Sequence, residues 1–165
     1  MADHVDMVLR QWADERPDLD ASPMAIVGRL SRLSRMVDNA LTDYFAEHGL
    51  DRASVDVLFT LRRSGSPYRL TPSELTRSSM VTSGAITQRL DRLEARGLIA
   101  RRRSEADGRG VVVALTDEGH ELTEAVLPGH LDNERRLFDA LTPSQRDTFA
   151  RTLRKVLESL GDKTD

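Results

Sequence analysis

Arg89 is the residue out of place. In VTSGAITQRLDRLEARGLI, residues 81 to 99, Ile86, Leu90, Leu93 and Gly97 follow helical spacing and mark one inward face. Arg89 falls on that face, three residues after Ile86 and four before Leu93. A guanidinium there is costly unless it meets an anion or reaches water along its stem. Asp56, beside Phe59 in SVDVLFTLRR, is a matching oddity at the border of an apolar face. A buried carboxylate and a buried guanidinium are each expensive alone and tolerable as a pair. Arg89 therefore answers to Asp56, to an anionic ligand, or to each in turn, or it snorkels to solvent.

The opposite face of the same helix carries Thr82, Ser83, Gly84, Thr87, Gln88 and Asp91, with small and hydroxyl residues at its N-terminal end. Such a face can approach a DNA major groove closely. Gln88 can pair with adenine through two hydrogen bonds, and Thr87 can meet a thymine methyl or a phosphate. Arg77 and Ser79, just upstream, suit phosphate contacts, which position without specifying. Downstream, Arg102 and Arg103 can touch the backbone. Arg109 sits in the turn ADGRG, where a hairpin tip can present one arginine to a narrow minor groove. Asp107 orients that arginine, because a carboxylate on DNA would be repelled.

The chain's net charge of −3 is unevenly spread. Arg69 to Arg109 holds nine basic and five acidic residues, so that segment is about +4 and the remainder about −7. Nucleic-acid binding needs a local basic surface, not a basic total. The 165 residues are enough for one domain with a real core, and 31% charged with 4% aromatic suits a helix-rich soluble protein. There is no cysteine, which excludes disulfides and thiolate metal sites. No apolar run reaches the ~20 residues of a membrane span. The opening MADHVDMVLRQW mixes charges into its apolar residues and does not read as a secretory signal, so a cytoplasmic protein with no membrane partner is expected. There is no Gly-rich phosphate loop and no Ser/His/Asp arrangement, so an enzyme is not expected. His130 and Glu134 at i, i+4, with His120 nearby, keep a metal-sensing alternative open, though solvated side chains account for them more simply.

The elements that must position these residues are legible in outline. Val5, Val8, Leu9 and Trp12 predict a short opening helix ended by Pro17. Pro23 to His48 predicts one long helix with Gly49 as its stop. Asp51 starts the next, and SGSP at 64 to 67 breaks it. Thr71-Pro72-Ser73-Glu74 is a capping box opening a helix of about two turns. The stretch from 81 to 99 follows it, the spacing of a helix-turn-helix. Leu98–Arg103 and Val111–Leu115 then read as two strands of a hairpin. Thr116 caps a further helix that Pro128-Gly129 kinks or breaks, and Thr142 to Gln145 is a second capping box before the last helix. The fold class is mainly α with a small β-hairpin wing, a winged helix-turn-helix with N- and C-terminal dimerisation helices. The expected organisation is 1–50 as the extra helix and first dimerisation helix, 51–116 as the DNA-binding region, and 117–165 as C-terminal dimerisation helices, intertwined in one domain. The first and last long helices are too apolar for one small winged helix to cover. A homodimer reading a palindromic double-stranded operator follows.

The order of elements, LDRLEARGLI and DGRG…VALTDEGH resemble the MarR family of bacterial transcription regulators, from Pro23 to Leu160. The resemblance implies a dimeric winged-helix repressor released from DNA by a small ligand. The extra N-terminal helix with Trp12, the aspartate in SVDVLFTLRRSG and the arginine in TQRL resemble its urate-responsive, PecS-like branch. That branch implies an effector site of one tryptophan, one aspartate and two arginines, which fall on Trp12, Asp56, Arg89 and Arg101. No resident cofactor is implied, only a small anionic effector, urate first. A polycarboxylate, a phenolic acid or a metal ion remain alternatives, as does a DNA-binding protein that answers to no ligand.

Overall fold

The computed structural model describes residues 2–79, 86–103 and 110–162, which form two compact units, Met1–Arg52 and Ala53–Asp165. The first unit holds α1 (His4–Glu15) and α2 (Pro23–Glu47). Asp3 caps α1 through a reciprocal box with Asp6. Both carboxylates also receive Arg29 of α2, Asp3 at 2.8 Å and Asp6 at 2.5 Å. The two helices come together where α2 is narrowest. A Cβ added at Gly28 would sit 3.3 Å from both methyls of the buried Val5. Pro23 opens α2, where its missing N–H costs nothing. Gly49 closes it at φ 64°, with the Leu50 N–H donating back to the Phe45 carbonyl at 2.9 Å, a left-handed stop that glycine adopts without strain. Leu41, Phe45 and Leu50 are buried, but the earlier turns leave Ile26 (74% exposed), Val27, Leu30 and Met36 to solvent.

The second unit is the winged helix. It comprises α3 (Arg52–Arg63), β1 (Arg69–Leu70), α4 (Pro72–Ser78), α5 (Ile86–Ala95), β2 (Ile99–Arg103), β3 (Val111–Leu115), α6 (Asp117–Leu137) and α7 (Pro143–Ser159). The strands form an antiparallel sheet in the order β1-β3-β2. Arg101 stands opposite Val113, and Arg69 opposite Ala114. Val55, Leu58, Leu61, Leu75, Leu90, Leu93, Ile99, Val113 and Val126 close the core. The expected boxes at Thr71 and Thr142 are formed, and Thr116 accepts from the Gly119 N–H at the start of α6.

The expected interruption at Pro128-Gly129 does not end the helix: α6 runs unbroken from Asp117 to Leu137. An interior proline costs a hydrogen bond and about 3 kcal/mol of helix propensity. Burial on both sides offsets that cost. Thr123 and Val126 lie buried before it, and beyond it the His130 ring packs 5.4 Å from Phe59 of α3. α7 buries none of its residues, and Val156, Leu157 and Leu160 (79% exposed) face outward. Among the described residues no helix is long and apolar enough to cross a membrane.

Candidate nucleic-acid interface

Two short helices carry the candidate reading surface. On α4, the capping box holds the first turn. Thr71 Oγ1 accepts from the Glu74 N–H at 3.2 Å, and Glu74 accepts from the Thr71 N–H at 2.8 Å. The Thr71 backbone N–H, and after it the Thr71 hydroxyl donating to the same carboxylate at 2.8 Å, keep the Glu74 carboxyl below the ordinary carboxylate range. Leu75 is fully buried, which turns Arg77 outward into solvent. Ser79 ends the helix half-buried, and both its N–H and its hydroxyl donate to the Leu75 carbonyl, at 2.9 and 2.7 Å. Its hydroxyl oxygen can accept a bond, but its proton is spent locally.

On α5, Leu90 and Leu93 are buried and Thr87 and Gln88 are exposed, the division that the period of the sequence predicts. Gly97, at φ 70°, ends the helical run, and the chain turns into β2. Thr82, Ser83, Asp107 and Arg109 lie outside the described residues. Arg102 and Arg103 are both exposed on β2, opposite Val112 and Val111.

The junction between α5, the wing and α6 explains why LEARGLI and LTDEG occur together. Thr116 Oγ1 donates to the Gly97 carbonyl at 2.6 Å, and the Thr116 N–H to the Leu98 carbonyl at 3.3 Å. Gly119 packs directly over that second carbonyl. A Cβ at position 119 would fall 1.9 Å from the Leu98 oxygen. Glycine is required there for close approach.

The residues expected to bind an effector divide between the two units. Trp12 is on α1, 41% exposed. Asp56 on α3 and Arg89 on α5 are both half-buried in the second unit, and neither stands without a partner. Arg101 is held at short range. Its guanidinium donates to Glu94 through Nη1 and to Asp91 through Nη2, both at 2.6 Å, and its backbone N–H donates to Glu94 at 2.9 Å. That backbone bond is the chief reason the Glu94 carboxyl is held low. The Asp91 bond chiefly raises Arg101, so the arginine is charged at any ordinary pH. Sequence reasoning placed Asp91 on the outer face and did not foresee this contact. The signal was there: acids at 91 and 94 share one face of a helix, and a strand returns alongside it.

The residues of the metal alternative are apart. His120 packs on Tyr68 at 4.9 Å, whereas His130 approaches Glu134 at 3.3 Å. Among the described residues no group of three or more potential ligands gathers.

Comparison with known proteins agrees with this geometry. The model of the MarR family matches residues 48–110, from the end of α2 to the start of β3. The transcriptional regulator PecS of Dickeya dadantii is 39% identical over 153 residues, 93% of this chain and 92% of that protein. The chain belongs to the MarR family. Among solved structures, Sco3205, a MarR-family regulator from Streptomyces coelicolor in complex with DNA, superposes with a TM-score of 0.77. It is 28% identical and covers 87% of this chain and 90% of its own. BpsR of Bordetella bronchiseptica, solved for the regulation of its DNA binding by 6-hydroxynicotinic acid, gives 0.71 at 25% identity over 79% of this chain and 91% of that one. As a MarR-family member the chain is a DNA-binding transcriptional regulator and not an enzyme. The exposed α5 face with Thr87 and Gln88 is its candidate reading surface.

Proposed function

We propose that this MarR-family regulator is a repressor that binds a palindromic operator as a homodimer and is released by a small anion, with urate the first candidate. The observation that carries the effector reading is Arg89. It is a half-buried arginine on the helix that presents Thr87 and Gln88 outward. An anion that draws Arg89 to itself acts on the reading helix directly, and its differential affinity for the free and DNA-bound forms sets the response. Asp56 in the same unit, Trp12 on the extra helix and the 39% identity to PecS support the reading. BpsR supports the ligand class, because its effector is a small heteroaromatic acid. Urate shares that chemistry: a planar, anionic heterocycle that an arginine can pair with and an indole can cover.

The dimer reading rests on what α2 and α7 leave uncovered. Ile26, Val27, Leu30 and Met36 on α2, and Val156 and Leu157 on α7 with Leu160 at its end, are all between 48% and 79% exposed. Large apolar side chains left exposed along a helix mark association surfaces. A second copy supplies the cover and brings a second α5 to the other half-site.

Trp12 is the only tryptophan, so its fluorescence reports on the effector without a label. Urate is expected to quench it saturably in the wild type and far more weakly in Arg89→Leu. Quenching that is unchanged by Arg89→Leu would remove Arg89 from the site. Light scattering at micromolar concentration is expected to give twice the 18.5 kDa chain mass; a monomer would overturn the dimer.

A further inference from the structure

α5 carries a liability for a helix that reads DNA. Asp91 lies four residues from Thr87 and three from Gln88, so it shares their side of the helix, and its side chain is 58% exposed. Glu94 follows three residues later, 38% exposed. Carboxylates facing a phosphate backbone oppose binding. Both are met by one residue of the neighbouring strand. Arg101 forks across them, Nη1 to Glu94 and Nη2 to Asp91, each at 2.6 Å. Glu94 also takes the Arg101 backbone N–H at 2.9 Å, so it holds the strand's main chain as well as the side chain. The next two residues of β2 are Arg102 and Arg103, both exposed.

We propose that Arg101 is a positioning residue for DNA recognition, a clasp whose guanidinium bridges the two carboxylates of α5, offsets one of their two negative charges and pins the base of the wing to that helix. Asp91 is the charge half of the clasp and Glu94 the geometric half. With Arg101 in place, Thr87 and Gln88 meet DNA beside a paired Asp91, and Arg102 and Arg103 leave the helix at a fixed angle. Without it, two anions stand on the reading helix and the wing loses its anchor. Lysine cannot replace the fork, because an ammonium does not span two carboxylates in one plane.

The inference rests on α5 being the DNA-facing helix, and a double-mutant cycle tests it apart from that reading. Fluorescence anisotropy on a duplex from the flank of the protein's own gene, at fixed salt and without effector, compares wild type, Arg101→Gln, Asp91→Asn and the double variant. Arg101→Gln is expected to weaken binding about tenfold. Asp91→Asn is expected to recover several-fold of that loss in the Arg101→Gln background, and to change the wild type by less than about twofold. Should Arg101→Gln not fold, Arg101→Lys takes its place in the cycle, with the same non-additivity expected at smaller size. An Asp91→Asn effect of equal size in both backgrounds overturns the clasp. So does a salt dependence whose slope falls by about one in Arg101→Gln, the mark of a direct phosphate contact. Wild-type affinity reports on DNA binding itself, and the cycle reports on the clasp.

Discussion

Gly119→Ala is the smallest change that tests how the wing is joined to the rest of the second unit. The added Cβ would lie 1.9 Å from the Leu98 carbonyl oxygen, 2.8 Å from its carbon and 3.3 Å from Leu115 Cδ2. Even a tight contact needs 3.0 Å, so backbone must move by more than an ångström. The Leu98 carbonyl cannot retreat cheaply. It accepts from the Thr116 N–H, its own residue's N–H donates to Leu93, and the chain continues at once into the paired strand β2. Overpacking of this kind costs about 3 kcal/mol or more, and alanine returns about 1 kcal/mol of helix propensity. The net loss of about 2 kcal/mol corresponds to a fall of about 1 M in the urea midpoint and about 4–8 °C in Tm for a domain of this size. Equilibrium unfolding at one fixed protein concentration measures it. Gly28→Ala is the control: its Cβ would meet only Val5 side-chain carbons at 3.3 Å, which can adjust, and a shift under about 1 kcal/mol is expected. A Gly119→Ala protein as stable as the wild type would refute the account of this junction.

Three further outcomes follow from the same contacts. Thr71→Ala removes one half of the α4 capping box and should cost about 1 kcal/mol in urea unfolding, with Thr71→Ser nearly neutral. The folded-state pKa of Glu94 lies below its ordinary value of 4.5, so its contribution to stability is present above that value and is lost as pH falls through the depressed folded value. Glu94→Gln should therefore flatten part of the acid limb of a stability–pH curve, and an unchanged limb would remove the Arg101 contact from the folded protein in solution. Arg77→Ala should weaken binding by a similar factor on all DNA sequences and lower the salt slope by about one, whereas Gln88→Ala should cost about 1–3 kcal/mol on the operator alone.

What the sequence disclosed was mostly local. A capping box needs only four residues, so Thr71 with Glu74 and Thr142 with Gln145 were readable directly, as was the hairpin from its change of period. The box at Asp3 is equally local, but its N3 partner is Asp6 rather than the glutamate or glutamine of the usual pattern. β1 was out of reach: two residues carry no period, and Arg69 and Leu70 are a strand only because β3 offers an edge more than forty residues later. That α6 continues through Pro128 was hidden for the complementary reason, since the cost of a proline is visible in sequence and the burial that offsets it is not. The candidate site divides the same way. Arg89 announced itself by breaking a pattern, and Thr87 and Gln88 by completing one. The clasp at Arg101 stayed hidden inside the run Arg101-Arg102-Arg103, where only the strand's register against Val113 singles out the first arginine from its neighbours.

The central claim is that one half-buried arginine couples an anion to the DNA-reading helix. The direct measurement is anisotropy of the wild type and of Arg89→Ala on duplex DNA from the flank of the protein's own gene, at fixed salt, with urate titrated into each complex. The account predicts competitor-resistant binding by both proteins, released by urate in the wild type and retained by Arg89→Ala. Release of both at the same urate concentration, or of neither, would contradict it.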